Sequence, residues 1–411
     1  MKTVDILIKN ANELVTLKGQ NNPRKKSEMN NLGVLNNSSI AINDGKIVDI
    51  GKNLKYNSEK VIDAKGKTVM PGFIDPHTHL VFAGSREFEL DMKLKGLTYM
   101  DILKKGGGIV YTVNQTRKAT EKDLLEQSKT RLDNMLKYGT TTCEGKSGYG
   151  LNIETELKIL KVQKKLNETH PMDIVPTFLG AHAVPQDYET RDYVDIIIND
   201  MIPKIKDLST FCDVFCEEGV FTVDQSKKIL EAGKSQGLIP KIHADEIVDT
   251  GGASLAADVG AISADHLLMS NDNGLKQMVK KGVIGVMLPG TPFSLMMKNY
   301  PSARKMIDMG IPIALATDLN PNCWTENMQI IIQLACFNMK LTPAEAITAA
   351  TYNAACAIGL ENIIGSLEKG KQADIIILDC PNHMFIPYHF GINLVKSVIK
   401  KGKIVIDKQR N

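Results

Sequence analysis

The chain has 411 residues, 43% of them hydrophobic and 24% charged, with 50 Lys and Arg against 47 Asp and Glu. That composition excludes a disordered chain, a fibrous repeat and a disulfide-stapled miniprotein. A net charge of +3 gives no reason to expect nucleic acid or an acidic membrane as partner.

Residues 1–69 read as strands and turns, with short β-rich runs at 4–8, 39–42, 46–50 and 61–63. Asn43-Asp44-Gly45 is a hairpin turn between two of them. Residues 19–33 are polar and read as a solvated loop. The N-terminal apolar stretch is interrupted by Asp5, so it lacks a signal-peptide core. No run approaches the ~20 apolar residues that span a bilayer.

From Thr68 the texture changes. Strand-like runs at 69–74, 140–144, 174–179, 213–216, 240–243, 261–264, 283–287 and 312–316 alternate with amphipathic helices. In the helix at 121–138, Leu124, Leu125, Ser128, Leu132, Met135 and Leu136 share one face, and Gly139 stops it. Thr222 with Gln225, and Thr342 with Glu345, are capping boxes that open two more helices. Gly106-Gly107-Gly108 follows no strand and reads as a flexible loop. Alternating strands and helices over about 275 residues predict an α/β fold, a (β/α)8 TIM barrel. After 359 the β texture returns, at 374–378, 394–399 and 404–407. Both chain ends are therefore expected to form one small β-sandwich domain (1–69 and 359–411) interrupted by the barrel (70–358). The seven cysteines are scattered without a C-x-x-C pair, as expected of reduced thiols in a cytoplasmic protein.

The chemistry gathers at strand ends. His77-Thr78-His79 closes the first predicted barrel strand, and residues i and i+2 of an extended segment point the same way. His182 follows the third strand, His243 ends the fifth, His266 the sixth and Asp318 the eighth. Barrel enzymes keep their chemistry at this end. Imidazoles plus a carboxylate suit Zn²⁺ or a related divalent ion. His170, His383 and His389 read as surface or structural residues, and Trp324, the only Trp, reads as core.

The run Pro71-Gly72-Phe73-Ile74-Asp75-Pro76-His77-Thr78-His79 resembles the amidohydrolase superfamily, and the resemblance covers nearly the whole chain. Lys146-Ser147-Gly148-Tyr149-Gly150 and Asp318-Leu319-Asn320-Pro321 resemble the branch that opens imidazolone rings in histidine degradation. The resemblance implies His77, His79, His243 and Asp318 as ligands of one ion, Zn²⁺ or Fe. Binuclear members carry a Lys at the end of strand four; here that strand ends Cys216-Glu217-Glu218, so one metal is expected, with Glu217 as the minor alternative for an extra ligand. It also implies Glu246, His266 and Asp318 as the groups that move protons or hold charge. Arg86 would clamp a propionate arm, with Tyr149, His182, Asn320, Asn322 and Tyr99 as further substrate contacts. Lys146 is expected to be structural or electrostatic, and Gly148 and Gly150 to let their loop approach the ligand. The family commonly carries Gly where this chain has Asn322, which puts that contact in question. The implied partner is a small molecule, and the base rate for soluble enzymes suggests a homodimer. A mononuclear nucleobase deaminase shares H-x-H, H-x-x-E and the final Asp, and is the alternative.

Overall fold

The computed structural model describes residues 2–19, 21–97 and 99–408. Eight strands form a parallel sheet in sequence order: Phe73–Asp75, Thr140–Lys146, Asp173–Ala181, Phe211–Cys216, Ile239–Ala244, Ser263–His266, Ile284–Met287 and Ile313–Leu315. Helices cover its outer face, so this is a (β/α)8 barrel. Helix Glu121–Lys137 shows why. Leu124, Leu132, Met135 and Leu136 are buried, each worth ~1.5–3 kcal/mol when fully removed from water, together with Ser128 and Arg131. Thr120 accepts from the Asp123 amide at its start, and Gly139, at φ +95°, lies just past its end.

The seam between the first and eighth strands closes just beyond their ends. The Asp318 amide donates to the His77 carbonyl at 3.1 Å, and the His79 amide donates to the Leu319 carbonyl at 2.9 Å. Below them the Asp75 carboxylate accepts from the Thr317 amide (3.1 Å) and hydroxyl (2.6 Å). Closing the barrel therefore brings the H-x-H segment against Asp318.

The two chain ends build a second eight-stranded sheet. Strand Thr3–Val15 is its axis. It pairs antiparallel with Val34–Asn43 on one side and parallel with Asn57–Asp63 and Thr68–Pro71 on the other. Ile375–Leu378 then joins Thr68–Pro71, followed by Val395–Lys400 and Lys403–Asp407. Ile6, Ile8 and Ile42 share a core with Ile375, Ile377 and Ile399, so the sheet folds back on itself. Asp44 and Gly45 both take positive φ, 48° and 73°, the geometry of a two-residue hairpin loop.

Three expectations are corrected. The run 69–74 is two strands: Thr68–Pro71 belongs to the terminal sheet, Phe73–Asp75 to the barrel. The break is Gly72, where a Cβ would lie 2.3 Å from Thr141 Cγ2. Residues 21–33 are exposed at most positions, as expected, but they are anchored by buried side chains and include a short helical turn, Lys26–Asn30. Arg24 is buried and donates to the Leu17 carbonyl at 2.6 Å, its amide donates to Asn353 Oδ1 at 2.8 Å, and Met29 and Leu32 are buried. Gly107 and Gly108 open helix Gly108–Lys118, and the Gly108 amide donates to Glu89 Oε1 at 2.7 Å. Among the described residues no helix is long and apolar enough to cross a membrane.

Candidate metal centre and active site

Ring nitrogens of His77, His79 and His243 lie within 4.8 Å of one another, and all three residues are buried. His77 Nε2, His79 Nδ1 and His243 Nε2 have no hydrogen-bond partner. A buried polar atom left unpaired costs about 1–3 kcal/mol, so the free His77 Nε2 and His243 Nε2 within this cluster fit an ion better than an empty core. Asp318 Oδ1 stands 3.5 Å from His77 Nε2 and 3.7 Å from His79 Nε2. Its other oxygen accepts from Thr291 Oγ1 at 2.5 Å, which fixes the carboxylate. This group can hold a metal ion.

Beneath the imidazoles lies a fully buried charged layer. His77 Nδ1 is 2.6 Å from Asp265 Oδ2, which assigns its proton to Nδ1 and leaves Nε2 as the free lone pair. His243 Nδ1 is 3.0 Å from Asp213 Oδ2. Lys146 Nζ joins the two carboxylates, 2.7 Å from Asp213 and 3.3 Å from Asp265, and is 2.9 Å from Glu144. Lys241 Nζ is 2.7 Å from Glu144 and donates to the Pro76 carbonyl at 3.1 Å, directly under the H-x-H segment. The amidohydrolase family profile matches residues 68–405. The chain belongs to the amidohydrolase family. The imidazolonepropionase of Alkaliphilus metalliredigens is 54% identical over 99% of both chains, and that of Geobacillus kaustophilus 52% identical over 98% of both. The chain thus falls in the imidazolonepropionase branch of the amidohydrolases. An adenosine deaminase from Xanthomonas campestris, solved with bound zinc, shares the fold at a TM-score of 0.74 and 17% identity, covering 99% of this chain and 94% of that one. A triazine hydrolase variant does so at 0.77 and 16%, covering 98% and 94%.

Electrostatics in this amidohydrolase pocket follow from burial. Desolvation, then nearby cations, hold His77, His79 and His266 well below the ordinary imidazole range. Desolvation brings His182 down to about 3. Burial works against protonated His243 too, yet the Asp213 carboxylate raises it. Glu246 is pushed up to about 8 by desolvation and then by the negative charge of Asp318. His266 and Asp318 hold positive φ, 75° and 53°, which is strained backbone at the two strand ends facing the pocket.

The remaining predicted residues fall around this centre. His182 stacks on His79 with ring centroids 4.7 Å apart, and its Nδ1 is 3.1 Å from the Gly148 carbonyl. Tyr149 is buried, its ring 5.5 Å from His79 and 5.3 Å from His182. Glu246 Oε2 is 3.7 Å from His266 Nε2. Asn320 Nδ2 donates to the Asp318 carbonyl at 2.8 Å, and its Oδ1 accepts the Asn322 amide at 2.7 Å. Arg86 lines a neighbouring cavity of about 780 Å³ with Leu90, Lys93, Phe293, Asn322 and Trp324. Tyr99 opens helix Tyr99–Lys104, but its side chain lies outside the described residues.

Three readings change. Glu217 does not join the imidazoles; its carboxylate accepts the Ile247 and Val248 amides at 2.8 and 3.3 Å and so pins the loop after Glu246. Trp324 is not core. It is 45% exposed at the cavity, with Phe82 edge-on at 5.1 Å. Gly148 and Gly150 approach protein rather than open pocket. Their amides donate to Glu156 at 3.0 and 2.7 Å, and a Cβ on Gly148 would lie 2.8 Å from the Leu179 carbonyl. Asn322 does not take the positive φ that would mimic Gly. Sequence reasoning also missed Asp213, Asp265, Glu144 and Lys241. The signal was strand alternation: Glu144 sits two before Lys146 and Lys241 two before His243, so each pair shares a face.

Proposed function

We propose that the chain hydrolyses 4-imidazolone-5-propanoate to N-formimino-L-glutamate, as the name of its relatives suggests. The observation that carries this is the cluster of His77, His79 and His243 ring nitrogens against Asp318, with Glu246 beside His266 and a buried Arg86 lining the neighbouring cavity. His77, His79, His243 and Asp318 would hold one ion, Zn²⁺ or Fe. Such an ion supplies an activated water near neutral pH and a polarised carbonyl.

The rest is the work of the chain. Water oxygen bonds to the ring carbonyl carbon, the carbonyl–nitrogen bond breaks, and the ring nitrogen leaves with a proton. Asp318, with one oxygen fixed by Thr291, takes the proton from water. His266 faces the developing oxyanion from the end of strand six. Glu246, raised to about 8, holds a proton at neutral pH and delivers it to the leaving nitrogen. Tyr149, His182 and Asn320 orient the ring, and Arg86 faces the propionate. A homodimer in the cytoplasm belongs to the same reading. The exposed run of Tyr388, Phe390 and Ile392 supports the dimer, and sedimentation of the purified protein checks it.

The test is loss of substrate ultraviolet absorbance with metal-replete protein. Wild type is expected to turn over. His243→Ala is expected to lose metal and activity together. Arg86→Ala is expected to raise KM by about 10- to 100-fold, the value of charge-assisted hydrogen bonds. Ammonia release from nucleobases, with no turnover of the imidazolone, overturns the reading.

A further inference from the structure

Arg86 meets the cavity beside the metal centre with its charge already matched. Its Nε and Nη2 form a two-pronged pair with Glu89, at 2.7 and 2.8 Å. Glu89 is buried and also accepts the Gly108 amide at 2.7 Å, so the pair is built into the fold. A carboxylate arriving beside it would meet a guanidinium whose charge is largely balanced.

Lys93 lies two turns further along the same helix, Glu87–Leu94, and lines the same cavity. Its Nζ donates to Asn322 Oδ1 at 2.6 Å, a neutral acceptor. Of the other ionisable groups of this wall, Arg86 is paired with Glu89, and Glu87 is exposed and held by Ser85, so Lys93 is the cation whose hydrogen-bond partner is neutral. Asn322 in turn is tied towards the metal centre: its amide donates to Asn320 Oδ1, and Asn320 Nδ2 donates to the Asp318 carbonyl. A chain of hydrogen bonds thus fixes the ammonium relative to the group that closes the barrel seam. Asn322 holds Lys93 through a side chain that Gly would lack.

We propose that Lys93 is a specificity-determining residue: with Arg86 it holds the substrate carboxylate, and Asn322 positions it. This rests on the reaction proposed above. The cation selects an anionic arm over a neutral one, because an ester or amide of the same shape gains no charge-assisted hydrogen bond from the Lys93 ammonium.

Binding and turnover separate the two ideas. Imidazole-4-propanoate has no ring carbonyl to hydrolyse, so its Kd and that of its methyl ester can be measured by calorimetry on the metal-loaded protein. Lys93→Met is expected to weaken the acid about tenfold and to leave the ester unchanged. Lys93→Arg should recover most of that loss, and Asn322→Gly should show a smaller loss of the same sign. In turnover, Lys93→Met should raise KM about tenfold with kcat held within about twofold, the pattern of uniform binding. An acid Kd that stays within about twofold of wild type in Lys93→Met overturns the proposal, as does equal weakening of acid and ester. Wild type that selects acid over ester through Lys93 but does not hydrolyse the imidazolone overturns the reaction instead.

Discussion

Lys146 and Lys400 are buried in nearly the same way at opposite ends of one barrel. Lys146 closes the second barrel strand and touches Glu144, Asp213 and Asp265 at 2.9, 2.7 and 3.3 Å. Lys400 comes from the terminal sheet and touches Asp173 and Asp374 at 2.7 and 2.6 Å. It also reaches Thr142, which shares the Lys146 strand four residues earlier, about 13 Å away along the chain. Two of the carboxylates around Lys146, Asp213 and Asp265, go on to hold imidazoles; those around Lys400 hold only lysines, a glutamine and backbone. The same ionic chemistry therefore positions a site at one end and joins two sheets at the other. Burying a lysine between two acids does not by itself say what it is for; the next contact outward does.

The largest effect separating the two ends is expected from Lys146→Met. It leaves three buried carboxylates facing one remaining lysine, which should cost about 3–5 kcal/mol of stability. It should also weaken metal binding by about 10- to 100-fold, because Asp213 and Asp265 lose the charge that holds them against His243 and His77. Chelator competition measures the second effect and urea unfolding the first. Lys400→Met should show the stability loss alone, again about 3–5 kcal/mol, with metal affinity unchanged. A variant at 400 that sheds its metal would break the distinction.

A smaller effect sharpens it from within the catalytic end. Asp265→Asn keeps the shape beside His77 but removes the charge that fixes the imidazole proton on Nδ1. Metal affinity should fall about tenfold, at the low end of what such outer partners contribute. Retained affinity would show that the strand backbone alone orients His77.

How much of this was legible is seen residue by residue. The barrel and the strand-end histidines could be read because their signals are local: alternation, capping boxes and a run of ligand-type residues at matching positions. The split of the first strand at Gly72 could not, because one apolar run serves two sheets that only meet in three dimensions. Arg24 was misread for a related reason. Polar neighbours look solvated in sequence, but its partners, Leu17 and Asn353, lie 7 and 329 residues away. The charged layer under the imidazoles was half-legible. Alternation puts Glu144 on the face of Lys146 and Lys241 on the face of His243, yet no single-sequence signal shows which strands face one another across a barrel. Lys400 carries no such signal at all.

The smallest expected effect is the acid limb of the junction. Burial alone would raise the Asp173 carboxyl, but Lys400, Lys401 and Gln372 hold it below its ordinary value. A carboxyl whose folded pKa is depressed adds stability that is complete above its unfolded pKa, ~3.9, and is lost as pH falls through the folded value. Removing Lys400 removes much of that depression. The stability gap between wild type and Lys400→Met should therefore be widest near neutral pH and should narrow below about pH 4, by on the order of 1 kcal/mol for a partly exposed pair. Protonation of the metal ligands is common to both proteins and cancels in the difference. Urea unfolding at pH 7 and pH 3 reads the gap directly. A gap that stays constant would mean that Lys400 acts through packing of its aliphatic stem between the two sheets rather than through its charge.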